Sequence, residues 1–72
     1  MRRWLPTLAR LGVTLHREPG GAWCRLTARG YVINVPPGLS DTVAEVVLRH
    51  ELQHALAGDC LPGRAQELGL SE

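Results

Sequence analysis

SDTVAEVVLRHELQHALAG, residues 40–58, carries one uninterrupted helical pattern. Ser40 and Asp41 are both good helix caps, and Thr42 with Glu45 has capping-box spacing. Gly58 supplies the stop, so the pattern predicts a helix running to about Ala57. Advancing about 100° per residue lines up Glu45, Arg49 and Gln53, with Thr42 beside them, as a narrow polar stripe. That stripe is the expected solvent face. Val43, Ala44, Val46, Val47, Leu48, Leu52, Ala55 and Leu56 take most of the rest of the wheel. Glu51 falls about 160° from Arg49, on the apolar side. A carboxylate there is costly unless it is paired or sits near a metal.

Within this helix, His50-Glu51-Leu52-Gln53-His54 has the form His-Glu-x-x-His. Residues four apart lie one above the other on a helix, so two imidazoles can share one tetrahedral zinc. A Glu beside the first His can then reach a zinc-activated water and take its proton as it attacks a carbonyl. His50 and His54 are the expected zinc ligands and Glu51 the expected general base. The plainer alternative is a buried histidine pair with Glu51 as its hydrogen-bond partner. Catalytic zinc commonly takes three protein ligands and keeps one position open. Four residues compete for the third place: Glu67, Asp59, Cys60 and Cys24. Glu67 and Asp59 rank first. Cys24 reads more readily as a small core residue. His16 reads as a structural or exposed strand-end histidine, with an oxyanion-stabilising or ligand role as the minor alternative.

Outward from the helix, Trp4, Leu8 and Leu11 share a helical spacing over residues 3–11, with Pro6 tolerable only in a first turn. Val13 to His16 alternates like a strand, and Pro19-Gly20-Gly21 marks a turn. Ala22 to Thr27 and Tyr31 to Val35 read as two more strands joined by an Ala28-Arg29-Gly30 hairpin. Beyond Pro62-Gly63, residues 64–68 read as a short helical tail. The expected fold is α+β: a short N-terminal helix, a three-stranded antiparallel sheet in meander order, a long active-site helix and the tail, all in a single domain, 1–72.

A chain of 72 residues buries a small core. Apparent zinc-binding energies of about 10 kcal/mol in small domains would exceed the stability of such a core, so zinc is also expected to hold the fold together. Residues 1–30 hold six Arg and one Glu, while residues 31–72 hold two Arg and six acids. The arginines are scattered, and only Tyr31, Trp4 and Trp23 could stack on bases, so nucleic acid is an unlikely partner. Met1-Arg2-Arg3 resembles the start of an export signal, but Pro6, Thr7 and Arg10 break the apolar run that would follow. Two cysteines are too few for a disulfide framework. The expectation is a cytoplasmic protein with reduced thiols and no membrane partner.

The segments Tyr31-Val-Ile-Asn-Val35 and Val46-Val-Leu-Arg-His-Glu-Leu-Gln-His-Ala-Leu-Ala-Gly-Asp59 resemble the zincin metallopeptidases, and among them the ImmA/IrrE group and similar minimal gluzincins. The resemblance spans roughly residues 30–59. It implies a zinc-dependent hydrolase acting on a peptide or protein substrate, with His50 and His54 on the metal and Glu51 as base. It also implies a third ligand from a Glu on a following helix, which is Glu67 here. The strand Tyr31–Val35 would lie beside the cleft and offer its edge to a substrate chain. The alternative from another class is a non-catalytic regulatory binding protein of phage or mobile-element type that keeps the same scaffold and meets a regulatory protein target.

Overall fold

A computed structural model describes residues 1–62. The expected tail helix and Glu67 lie outside the described residues. A 3-10 turn over Arg2–Trp4 leads into α1 (Leu5–Arg10), followed by β1 (Val13–His16), β2 (Trp23–Thr27), β3 (Gly30–Asn34), α2 (Asp41–Ala57) and β4 (Leu61–Pro62). The fold is α+β, as expected, and α2 covers the predicted span. In α1, Pro6 sits in the first turn, where its missing N–H costs nothing. Leu8 is buried, but Leu11 is exposed, so the expected apolar face of this helix is narrower than its spacing implied.

The strand order is β1-β3-β2-β4. The hairpin pairing of β2 with β3 is antiparallel. However, β1 lies parallel to β3, pairing Val13 with Tyr31 and His16 with Asn34. The sheet is therefore mixed, and the antiparallel meander is corrected. Asn34 provides the physical reason. Its side chain is fully buried, yet it accepts from Glu18 N and donates to Glu18 O and Gly21 O at 2.8–3.1 Å. Those bonds pin residues 18–21 across the end of β3. The chain is thereby carried from β1 to the far side of β3 before β2 begins. Arg17 secures the same crossing by donating to Val35 O and Pro36 O.

This topology makes β3 the central strand. Val32, Ile33 and Asn34 are all buried, as is Val35 just past the strand. An apolar run in place of clean alternation is the signature of a strand covered on both faces. With β1 on one side and β2 on the other, β3 has no free edge, so the expected substrate pairing along Tyr31–Val35 cannot occur. Gly30 fixes the start of this strand. Its φ is +109°, and a Cβ there would lie 2.7 Å from the Gly12 carbonyl oxygen, which already accepts from Tyr31 N.

Ala44, Leu48, Glu51, Leu52 and Ala55 form the buried face of α2, a helical stripe turned toward the sheet. Leu48 packs with Leu8, Val13, Cys24, Ile33 and Val35 in one core. Ser40 caps the helix by accepting from Val43 N. Glu45 departs from the expected solvent stripe. It is half-buried and receives Arg3 at 2.8 Å, with the N-terminal amine at 3.9 Å, tying the chain's start to α2. The two cysteines also depart from expectation, since Cys24 and Cys60 are joined in a disulfide. Their separation is 36 residues, and closing such a loop contributes about 4 kcal/mol in the chain-entropy picture. Among the described residues, no helix is long and apolar enough to cross a membrane.

Candidate metal centre

The site forms over the last two turns of α2 and the turn that ends it. Gly58, at φ +75°, takes the left-handed conformation that closes a helix. Its N–H bonds Ala55 O, and the next N–H, from Asp59, bonds His54 O. This is the Schellman pattern, and it folds residue 59 back onto the helix end. The Asp59 carboxylate consequently reaches His54 Nδ1 at 2.8 Å.

That contact fixes the chemistry of His54. An ionised carboxylate only accepts, so the Nδ1 carries the proton and Nε2 presents its lone pair when the ring is neutral. Metal-binding histidines commonly have a carboxylate on the other ring nitrogen, which sets the tautomer and the ring orientation. Asp59 therefore holds the ring on the side away from Nε2.

The Nε2 atoms of His50 and His54 lie 3.2 Å apart, with the rings nearly perpendicular. Two nitrogens bound at 2.0–2.1 Å to a tetrahedral zinc stand about 3.3 Å apart. The spacing is compatible with two ligands of one zinc ion. The same approach is within hydrogen-bond distance, with donor and acceptor set by the tautomers of the two rings.

Glu51 is 9% exposed, as its inward position on the wheel required. Among the described residues, no donor reaches its carboxylate. The plainer sequence reading gave the histidines Glu51 as their partner. Asp59 takes that place instead and leaves Glu51 free. It lines an open cleft of about 240 Å³ between α2 and β2, with Ala22, Trp23, Cys24, Arg25, His54, Asp59 and Cys60. His50 faces a second hollow with Val46, Arg49 and Gln53, so the histidine pair forms the ridge between the two.

No cluster of three or more His, Cys, Asp or Glu positioned for a metal ion occurs among the described residues. Glu67 lies outside them. Cys24 and Cys60 are at the cleft, with their sulfurs bonded to each other. His16 lies edge-on to Trp23, and its buried Nδ1 meets no partner among the described residues. Arg25 is a cleft residue that sequence reasoning missed. Its guanidinium lies 5.3 Å from the Trp23 ring centre, and it donates to Cys24 O. Its place in β2 at the cleft depends on the sheet order, so no local signal marked it. Comparison with family models, curated proteins and solved structures found no match to this chain.

Proposed function

We propose that this protein is a zinc-dependent metallopeptidase acting on a peptide or protein substrate. The observation that carries the reading is the 3.2 Å spacing of the two Nε2 atoms, with the His54 tautomer set by Asp59. His50 and His54 would hold the metal, and the zincin resemblance assigns the third position to Glu67. Bound zinc would supply Lewis-acid polarisation of the scissile carbonyl and acidify the attacking water. Glu51 would serve as the general base toward such a water and as the acid toward the leaving amine. Among the described residues no donor competes for it, which suits both transfers. Arg25, across the cleft, places a fixed positive charge where a substrate carboxylate would enter. We place the protein in the cytoplasm.

The test is cleavage of a proteome-derived peptide mixture by the zinc-loaded protein, read by mass spectrometry of new termini. Cuts that vanish with chelator and with Glu51→Gln support the reading. A mixture left intact, under conditions where zinc is bound, overturns the peptidase assignment.

A second reading, a regulatory binding protein on the same scaffold, draws on one observation. Val43, Val46 and Leu56 are 47%, 60% and 72% exposed on α2. Apolar side chains on that outer surface suit a protein partner better than they suit water.

A further inference from the structure

One guanidinium and two carboxylates line the cleft between α2 and β2 without pairing. Arg25 is the one Arg or Lys in the described lining, which also holds Glu51 and Asp59. The described ion pairs join Glu45 to Met1 and Arg3, and Asp59 to His54, and leave Arg25 with none. Its position is fixed from several sides. In β2, Arg25 pairs with Val32 of β3 and with Leu61 of β4. The guanidinium lies 5.3 Å from the Trp23 ring centre, and Nη1 donates to Cys24 O at 3.3 Å. Nε is buried and meets no partner among the described residues. A partly desolvated guanidinium with no counter-ion gains more from an arriving carboxylate than a solvated one does. We propose that the cleft recognises the free C-terminus of a peptide, with Arg25 binding the terminal carboxylate, so that the protein removes residues from the end of a chain instead of cutting within it. The binding stands on the cleft alone, and its consequence for cleavage rests on the metallopeptidase reading.

The rest of the lining suits the last residue of such a peptide. Ala22, the Trp23 ring and the Cys24–Cys60 disulfide give the walls their apolar surface. The volume of about 240 Å³ lies below the range of about 300–1,000 Å³ that holds drug-sized ligands, so the cleft takes a residue or two. An apolar terminal side chain therefore meets Trp23 and the disulfide while its carboxylate meets Arg25. Asp59 already bonds His54, and Glu51 stands on the α2 wall, so neither occupies Arg25. Glu51 and His54 share the lining, so an anchored carboxylate brings the last peptide bond toward them. In hydrolysis one water adds across that bond. The C–N bond breaks, the carbonyl carbon gains a C–O bond and the amine takes a proton. The products are a shortened peptide and one free amino acid, with no change of oxidation state. An amidated C-terminus keeps the peptide's shape and removes the charge that Arg25 would bind.

The experiment is calorimetric titration of the full chain, without added metal, with acetyl-Ala-Ala-Leu as the free acid and as the amide. The acid should bind at least about tenfold more tightly than the amide. Arg25→Gln should abolish that difference. Arg25→Lys, which keeps the charge and loses the fork, should keep part of it. Far-ultraviolet dichroism checks that both variants are folded, and the acid–amide comparison in the wild type needs no variant. Equal binding of the two peptides, no binding of either, or an acid preference kept in Arg25→Gln overturns the proposal. A second arm adds zinc and follows the products by mass spectrometry. Free leucine released from the acid, with the amide left intact, supports removal from the chain end. An amide cut as fast as the acid overturns end removal and spares the peptidase. An acid preference that depends on Arg25, with neither peptide cut, overturns the peptidase reading and supports C-terminal recognition by a binding protein.

Discussion

Among the described residues two polar side chains are buried, Asn34 at the end of β3 and Glu51 on the inner face of α2, and their surroundings are opposite. Asn34 is fully buried, and its amide makes three hydrogen bonds to the loop that carries the chain across the sheet. Glu51 is nearly as buried, opens on a cleft and meets no donor among the described residues. Burying a polar group costs free energy that only a partner returns. Asn34 has its partners within the fold and serves topology. Glu51 lacks them, which fits a group whose partner is a substrate or water.

That contrast can be broken by substitution. Glu51→Gln should lower the rate of peptide hydrolysis by roughly 10²–10⁴, the range for general acid–base groups, while the melting midpoint barely moves. A large loss of stability would place Glu51 with Asn34 as a structural residue. Asn34→Ala should cost about 3 kcal/mol, because the Glu18 and Gly21 backbone groups lose partners inside the fold. The midpoint should drop by about 10 °C or more on calorimetry. A change under about 1 kcal/mol would show that the crossover does not depend on this side chain.

A smaller effect is expected at Asp59. Asp59→Ala should weaken zinc binding about 10–100-fold, read by competition with a chromogenic chelator, with little change in folding. Unchanged affinity would remove its ring-holding role. The smallest effect on the fold is expected from Val46→Ser and Leu56→Ser. Both side chains are exposed, so stability should stay within about 0.5 kcal/mol. If hydrolysis persists in these variants while capture of a regulatory protein fails, the outer helix face is a docking surface and the two readings describe different faces of one helix.

Much of this was legible in the sequence for a physical reason: the informative signals were local. The cap at Ser40, the stop at Gly58 and the inward position of Glu51 all follow from helical periodicity within α2. The hairpin between β2 and β3 has its own turn chemistry, in which the Thr27 hydroxyl donates to Gly30 O and accepts from Arg29 N. What was missed depends on residues far apart in the chain. Glu45 reads as a solvent residue until Arg3 arrives from 42 positions away. The parallel placement of β1 depends on Asn34 gripping a loop that contains only turn signals. Cys24 and Cys60 offered no framework to pair them, and their bond forms because β2 and the end of α2 share one cleft.

The most direct test of the metal centre is zinc content of the purified protein under reducing, metal-replete conditions, with His54→Ala and Glu51→Gln alongside. The account predicts about one zinc per chain in the wild type, lost in His54→Ala and kept in Glu51→Gln. A wild type that holds none, or a His54→Ala variant that keeps its zinc, would contradict it.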